Sequence, residues 1–270
     1  MSHQKKLANN VEIPVVALGT WKATGSKVKN AVLAALAAGY RHIDTAKIYG
    51  NEREVGEAIR ESGVPRGEIF VTTKLWNGDQ GYEKAFEAFE KSKDALGLDY
   101  LDLYIIHWPE PRTRQDSWRA LEELYAAGKC RAIGVSNYTI KHLEEMKTYA
   151  KVMPMVNQVE FHPFLYQKEL LEYCASNSIA LEAYSPLAHG ERQKDKVITA
   201  IAEAHGKSNA QIMLRWSLQH GNIILPKSTN PERIGENLAV FDFELTGEEM
   251  ARLNGLNEDF RTCWDPSELM

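Results

Sequence analysis

The chain has 270 residues, of which 44% are hydrophobic and 26% charged, an ordinary balance for a globular protein. Its net charge of −5 makes it a poor electrostatic partner for nucleic acid, so we expect no nucleic-acid partner. The longest aliphatic stretch, Ala31–Ala38, is far shorter than the ~18 residues that span a bilayer. Residues 1–10 lack the apolar segment of a secretion signal. We therefore expect a soluble, cytoplasmic protein without a membrane partner.

The chain opens with a predicted hairpin and continues with a repeated strand unit. The hairpin would have a tight turn at Asn9-Asn10, with strands over Lys5–Ala8 and Val11–Ile13 on either side. If the rest of the chain forms a barrel, this hairpin could close one of its ends. Eight β-branched or apolar segments follow at intervals close to the ~30 residues of a strand with its crossover helix. These predicted strands are Val15–Gly19, His42–Ala46, Phe70–Leu75, Asp102–Trp108, Ala132–Asn137, Met155–Phe161, Ala180–Leu187 and Asn222–Ser228.

The segments between the predicted strands carry helix signals. Ser26 is a candidate cap for a helix over Lys27–Ala38, which Gly39 would end. The long seventh interval holds two helical patterns, near 195–204 and 209–219, and therefore predicts an extra helix. Further start and stop signals are Gly63, Gly97, Gly128, Asn230-Pro231, and the capping-box pairs Ser208 with Gln211 and Thr246 with Glu249.

Eight strands that alternate with helices favour a closed (β/α)8 TIM barrel over an open doubly wound sheet. An open dinucleotide-binding sheet would be expected to carry Gly-x-Gly-x-x-Gly after its first strand, but no two glycines here lie two residues apart. No two lie five apart, which excludes a Walker A loop. We therefore predict an α/β fold in which residues 1–270 form one barrel domain, with an N-terminal β-hairpin and extra C-terminal helices.

Cysteine and histidine spacing gives no sign of a metal site. Cys130, Cys174 and Cys263 are widely separated, so we expect three reduced thiols and no zinc site. The eight histidines include neither His-Glu-x-x-His nor His-x-His.

Chemistry in such barrels collects at the carboxyl ends of the strands. Asp44 and Lys74 interrupt apolar strands there, and because buried charges need partners we expect the two to pair. Tyr49 follows the second strand, and a neighbouring ammonium would favour its phenolate, so Tyr49 is a candidate proton donor to a carbonyl oxygen. His107 could orient that carbonyl with a further hydrogen bond.

Several runs resemble the aldo-keto reductase family, and the resemblance covers almost the whole chain in order. The group it resembles most is that of the 2,5-diketo-gluconate reductases and prostaglandin F synthase-like enzymes. The runs are His42–Ala46, Tyr49–Glu52, Thr72–Trp76, Asp102–Pro109, Ile133–Asn137, Asn157-Gln158, Tyr184–Leu187, Ile224–Ser228, Arg233 and Glu236-Asn237.

The resemblance implies a catalytic tetrad of Asp44, Tyr49, Lys74 and His107, and NADPH as the reductant. It also implies that Tyr184 stacks on the nicotinamide, that Ser136, Asn137 and Gln158 hold the carboxamide, and that Ser185 and Leu187 approach the pyrophosphate. Lys227, Ser228 and Arg233 would then receive the adenosine 2′-phosphate, with Glu236 and Asn237 at the adenine. The predicted helix at Pro231 supports this, since a helix amino end suits a phosphate.

Four tryptophans are candidates for the wall of a substrate slot. Trp21, Trp76 and Trp108 follow strand ends, and Trp264 lies in the C-terminal tail. Two segments are shorter than in larger members of the family: the connection after Leu187, and the tail from Arg261 to Met270. We therefore expect an incomplete clamp on the cofactor, faster NADPH release and an open pocket.

The sequence thus predicts an NADPH-dependent reductase that converts aldehydes and some ketones to alcohols. A Schiff-base aldolase with Lys74 or Lys227 as nucleophile is one alternative. A cofactor-sensing binding subunit is another, against which the intact tetrad weighs. No heptad or exposed apolar repeat is present, so a monomer is the default expectation.

Overall fold

The computed structural model describes residues 3–269, and eight parallel strands form its centre. Two hairpin strands, β1 (Gln4–Lys6) and β2 (Glu12–Pro14), precede them. The eight parallel strands are β3 (Leu18–Gly19), β4 (His42–Asp44), β5 (Phe70–Leu75), β6 (Leu101–Ile106), β7 (Cys130–Ser136), β8 (Val156–Glu160), β9 (Ala180–Tyr184) and β10 (Ile223–Leu225). β3 to β10 pair in chain order, each parallel to the next. Two parallel bridges, Val16 with Ile224 and Gly19 with Lys227, join the first of these strands to the last. The predicted TIM barrel is confirmed.

Helices connect the strands and form the outer layer of the barrel. They are α1 (Gly25–Ala38), α2 (Glu52–Glu61), α3 (Tyr82–Leu96), α4 (Arg114–Ala126), α5 (Ile140–Met146), α6 (Lys168–Ser176), α7 (Lys196–His205), α8 (Asn209–Gln219), α9 (Pro231–Leu238) and α10 (Gly247–Asn254). α7 and α8 are the two helices predicted in the long seventh interval. The predicted capping boxes begin α8 and α10, and the Asn230 side chain caps α9. Within residues 3–269, no helix is both long and apolar enough to cross a membrane.

The predicted cap at the start of α1 is wrong. Gly25 has a φ of 55° and already belongs to the helix, so Ser26 lies inside the first turn and Thr24 flanks the helix. Thr24 makes no capping hydrogen bond with its side chain. At the other end Gly39 is left-handed, with a φ of 104°, and ends the helix as expected.

The N-terminal hairpin covers the amino end of the barrel. β1 and β2 are antiparallel, and Lys5 Nζ donates a hydrogen bond of 2.6 Å to the carbonyl of Gly221, just before β10. Asn9 Nδ2 donates to the carbonyl of Arg131, at the start of β7. Ile13, in the hairpin strand β2, is fully buried. Because this end is closed, a ligand has access from the carboxyl ends of the strands.

Candidate active site

A cavity of about 1250 Å³ opens at the carboxyl ends of the barrel strands. Apart from Lys74, every residue that the sequence predicted for the site lines this cavity. They are Asp44, Tyr49, His107, Ser136, Asn137, Gln158, Tyr184, Ser185, Leu187, Lys227, Ser228, Arg233, Glu236, Asn237, Trp21, Trp76, Trp108 and Trp264. Lys74 is fully buried behind the cavity wall. One concave site therefore gathers residues from nearly every strand end.

Asp44 and Lys74 form the expected ion pair under the cavity floor. β4 and β5 are adjacent and parallel, which brings the two side chains to the same level of the barrel. Lys74 Nζ donates hydrogen bonds of 2.6 Å to Asp44 Oδ1 and 2.9 Å to the carbonyl of Thr45. Burial acts to lower the pKa of Lys74, but the charge of Asp44 and the hydrogen bond to it raise that pKa overall. The ammonium is therefore charged and held in one place.

Tyr49 lies directly above this ammonium. The short 3-10 helix Lys47–Tyr49 ends at Gly50, whose φ of 64° turns the chain away and leaves the tyrosine at the rim. Lys74 Nζ is 5.1 Å from the centroid of the Tyr49 ring. Burial raises the pKa of the phenol, and the nearby Lys74 lowers it without cancelling that effect. The expected acidification by Lys74 is thus present, but the net shift is upward because desolvation is the larger effect.

His107 completes the predicted catalytic group. Its ring meets Tyr49 edge-on at a centroid distance of 5.9 Å and Trp76 edge-on at 5.3 Å. Burial and the positive charge of Lys74 hold the pKa of His107 well below 6.5. The imidazole is therefore neutral near pH 7, with one nitrogen as donor and the other as acceptor. Its Nδ1 is buried and has no hydrogen-bond partner among residues 3–269.

The residues predicted to hold a carboxamide form hydrogen bonds with one another and with neighbouring residues. The Tyr184 hydroxyl donates to Asn137 Oδ1 at 2.8 Å, and Asn137 Nδ2 donates to the carbonyl of His107. Ser136 Oγ donates to the carbonyl of Gln158. Gln158 Nε2 donates to Asp44 Oδ2 at 2.9 Å and to Glu182 Oε2 at 2.8 Å. Both donors of the Gln158 amide are thus used inside the protein, which leaves its oxygen available to accept from a ligand.

The start of α9 forms the polar end of the cavity. The Asn230 side chain accepts a hydrogen bond from the backbone of Arg233, and Pro231 occupies the first turn. Lys227 and Arg233 are exposed, and neither forms an ion pair with any other residue in the described range. Ser228, Glu236 and Asn237 lie beside them in the cavity wall. Two cations at a helix amino end provide a favourable environment for a phosphate.

The predicted aromatic wall also assembles. Trp108 is buried and lies 5.4 Å from Trp264 between ring centroids, although Trp264 itself is 68% exposed. Trp21 stacks on His189 from the connection after β9, with centroids 5.2 Å apart. Trp76 packs edge-on against His107, with ring centroids 5.3 Å apart.

Comparison with known proteins identifies the relationship. The model of the aldo/keto reductase family matches residues 15–258. The chain belongs to this family. It is 54% identical to the 9,11-endoperoxide prostaglandin H2 reductase of Trypanosoma cruzi over 96% of this chain and 93% of the relative. It is also 54% identical to the glyoxal reductase of Bacillus subtilis, over 98% of this chain and 96% of the relative.

Solved structures of aldo-keto reductases share the fold. One from a Medee basin deep-sea metagenome library superposes with a TM-score of 0.95 at 49% identity, covering 97% of this chain and 98% of that one. The aldo-keto reductase of Bombyx mori, solved in complex with NADP, has a TM-score of 0.91 at 39% identity, covering 96% and 94%. The predicted family, the fold and the oxidoreductase class are confirmed, and an NADP cofactor is confirmed for the family.

Sequence reasoning missed several residues of this aldo-keto reductase site. Ile48, His189 and Cys263 line the cavity, and Glu182 lies beneath it against Gln158. Glu182 interrupts the apolar strand β9, the same signal that singled out Asp44 and Lys74. The other three sit in loops or the tail, where sequence spacing carries no comparable signal. Among residues 3–269, no group of acidic, histidine and cysteine side chains could hold a metal ion, and the cysteines are free.

Proposed function

We propose that this aldo-keto reductase converts aldehydes and ketones to alcohols, with NADPH as hydride donor and Tyr49 as proton donor to the carbonyl oxygen. The observation that carries the proposal is the position of the Tyr49 ring, 5.1 Å above the buried Lys74 ammonium at the cavity floor. Asp44 fixes that ammonium from below at 2.6 Å. A phenol at the rim with a fixed cation beneath it suits proton transfer to an oxygen that gains negative charge.

The cavity suits a dinucleotide cofactor along its length. Lys227, Ser228 and Arg233 supply cations and a hydroxyl at one end, where we place the 2′-phosphate, with Glu236 and Asn237 at the adenine. At the other end the Gln158 oxygen can accept from the carboxamide of the nicotinamide, beside Ser136 and Asn137. The hydrogen bond from Tyr184 to Asn137 holds the ring against which we place the nicotinamide. We place Ser185 and Leu187 at the pyrophosphate.

When bound, NADPH supplies the hydride for the carbonyl carbon. Tyr49 supplies the proton for the carbonyl oxygen, and the phenolate left behind is stabilised by the Lys74 ammonium. His107, neutral at pH 7, directs an N–H to the same oxygen and sets the approach of the carbonyl. Trp21, Trp76, Trp108 and Trp264 exclude water from the reacting atoms and select the shape of the substrate.

A Schiff-base mechanism is disfavoured by the state of Lys74. A lysine nucleophile must be neutral, whereas the charge of Asp44 and its hydrogen bond raise the pKa of Lys74. Lys227 is exposed, so it lacks the desolvated apolar pocket that activates a Schiff-base lysine. Borohydride in the presence of an aldehyde is therefore expected to trap no adduct.

Tyr49→Phe tests the proposal, because it removes the hydroxyl and keeps the ring. NADPH oxidation with aldehydes should fall at least ~100-fold, the contribution typical of a positioned acid, while the Kd for NADPH stays within about twofold. The matched control is Tyr100→Phe, which removes a hydroxyl next to β6 at the amino end of the barrel. Retained turnover in Tyr49→Phe would remove Tyr49 as the proton donor.

The substrate panel follows from the open pocket and from the relatives. Glyoxal reductase and prostaglandin H2 reductase are the names of two relatives, so a small dicarbonyl such as methylglyoxal and a bulky carbonyl compound both belong in it. Aromatic aldehydes, diketo-sugars and quinones complete the panel. The ranking of kcat/KM then identifies the substrate class.

A further inference from the structure

Glu160 is a buried carboxylate that the proposed reaction does not use. It ends β8 with 1% of its surface exposed. Its Oε1 accepts from the Thr262 backbone at 2.8 Å, from the Thr262 hydroxyl at 2.5 Å and from His162 Nε2 at 3.1 Å. Its Oε2 accepts from the Cys263 backbone at 3.2 Å. Three of these four donors belong to the C-terminal tail, about a hundred residues away along the chain.

The tail has further contacts on both sides of this anchor. Before it, the backbone N–H groups of Glu258 and Phe260 both donate to the carbonyl of Phe164 in the loop after β8. After it, the carbonyl of Leu269 accepts from Arg114 Nη1 at 3.1 Å and from His142 Nε2 at 3.0 Å. The tail is thus fixed at both ends, and Glu160 holds the part next to the cavity.

Trp264 directly follows the residues that Glu160 holds. Its indole lies 5.4 Å from Trp108 but is 68% exposed, so little burial of its own fixes its position. Arg261, Thr262 and Cys263 line the cavity beside it. The position of this wall therefore depends on the hydrogen bonds that hold the backbone of Thr262 and Cys263.

We propose that Glu160 is a positioning residue that fixes the segment Arg261–Trp264 as one wall of the carbonyl pocket and thereby supports the binding of substrates large enough to contact that wall. The inference rests on the proposed function for its kinetic consequence, but not for the anchoring itself. Hydrogen bonds from His162 and Thr262 outweigh burial and hold the pKa of Glu160 below its ordinary value, so the carboxylate is charged at neutral pH and its hydrogen bonds are strong.

Thiol labelling tests the anchoring without reference to activity. Cys130 and Cys174 are buried, so Cys263 is the cysteine that a thiol reagent reaches first. In Glu160→Gln the amide cannot accept from both tail residues. Burial and the Glu160 charge both raise the pKa of the Cys263 thiol, so the rate is compared for the thiolate form, taken from the pH profile of labelling. That rate should become roughly tenfold faster, the effect of losing one charge-assisted hydrogen bond. Glu268→Gln, an exposed glutamate on the same tail, is the control and should label at the wild-type rate. An unchanged labelling rate in Glu160→Gln would overturn the proposal.

Steady-state kinetics tests the effect on the pocket. In Glu160→Gln the KM for an aromatic aldehyde should rise several-fold, while kcat and the KM for methylglyoxal change less than about twofold. Trp264→Ala should also raise the KM for the aromatic aldehyde, and the double variant should be no worse for this substrate than Trp264→Ala alone, because both changes remove the same wall. Equal rises in KM for both aldehydes, or additive effects in the double variant, would show that Glu160 does not act through this wall.

The variant Thr262→Val is a milder change to the same hydrogen bonds, for use if Glu160→Gln does not fold. It removes the hydroxyl donor and leaves the carboxylate with its other three hydrogen bonds, so it should shift labelling and KM in the same direction by a smaller factor. If the wild-type chain oxidises no NADPH with any aldehyde, the proposed function fails, and the labelling experiment still decides whether Glu160 holds the tail.

Discussion

Asp44 and Glu182 are two buried carboxyl groups that accept hydrogen bonds from the same side-chain amide, that of Gln158. Gln158 Nε2 lies 2.9 Å from Asp44 Oδ2 and 2.8 Å from Glu182 Oε2. Asp44 also has the Lys74 ammonium as a partner, whereas Glu182 has no cation in hydrogen-bond contact within residues 3–269. Its Oε1 has no hydrogen-bond partner there and lies 4.0 Å from His42 Nε2, an imidazole that burial keeps neutral. Burial and the charge of Asp44 raise the pKa of Glu182 to about 8. Near pH 7 Asp44 therefore carries the charge and Glu182 the proton.

This difference makes the stability of the protein depend on pH through Glu182. The ordinary pKa of the group is 4.5, so between pH 4.5 and about 8 the unfolded chain releases a proton that the folded chain retains. Stability is therefore lost as the pH rises through this window. The variant Glu182→Gln has no proton to release at this position. The free energy of unfolding of the variant minus that of the wild type should therefore rise by a few kcal/mol as the pH is raised from 5 to 9.

Denaturant unfolding at pH 5, 7 and 9 measures this gain. Glu203→Gln, an exposed glutamate on α7, is the matched control and should track the wild type at all three values. A difference between Glu182→Gln and the wild type that stays constant with pH would mean that Glu182 is already ionised in the folded protein.

The pKa of Tyr49 is a second measurable consequence of burial. Because desolvation outweighs the effect of Lys74, its phenol should stay protonated up to and beyond its ordinary pKa of 10.0. The difference in phenolate absorbance between the wild type and Tyr49→Phe, each without cofactor, should therefore be flat from pH 7 to pH 10. A phenolate that appears near pH 8 and is absent from Tyr49→Phe would contradict the burial argument.

The sequence was most informative where buried strands carry ionisable residues. Asp44 and Lys74 stand out because a charge in an apolar strand needs a partner, and parallel neighbours with a known register place that partner. Strand order along the barrel then brings His107 and Tyr49 to the same rim. The same reasoning could have found Glu182 in β9.

Other features depend on atomic detail that spacing does not encode. The upward pKa shift of Tyr49 depends on the balance of burial against the Lys74 charge, and only coordinates show which is larger. The helix α1 begins at the left-handed Gly25, less than one turn before its predicted start, so Ser26 is not its cap. The tail reaches Glu160 over about a hundred residues, a contact that no local pattern predicts.

Preference for NADPH over NADH should depend on the two cations at α9. Lys227 and Arg233 are exposed and have no ion-pair partner in the described range, so a 2′-phosphate would gain their charge without breaking an existing bridge. Lys227→Ala and Arg233→Ala should each raise the Kd for NADPH about tenfold or more and leave the Kd for NADH unchanged. Tryptophan fluorescence quenching measures both constants, with Lys141→Ala on α5 as the control. Equal loss for both cofactors would place these side chains away from the phosphate.

The connection after β9 bears on how fast the cofactor leaves. It is short, and the sequence predicted an incomplete clamp with fast release of NADPH. His189 in this connection has a left-handed φ of 54°, stacks on Trp21 at 5.2 Å and is hydrogen-bonded to Ser185 Oγ at 2.8 Å. The protein's own contacts thus hold the connection in place, so we expect no slow rearrangement after NADPH binds.

Stopped-flow tryptophan fluorescence should accordingly show NADPH binding in one phase, and a slow second phase would contradict the prediction. His189→Ala removes the stack on Trp21 and should speed dissociation about two- to tenfold, the range expected from the loss of one aromatic pair. The matched control is His3→Ala, which removes a histidine stacked on Phe241, away from the residues that line the cavity. If both variants release NADPH at the wild-type rate, the stack does not retain the cofactor, and the open cavity alone sets the rate.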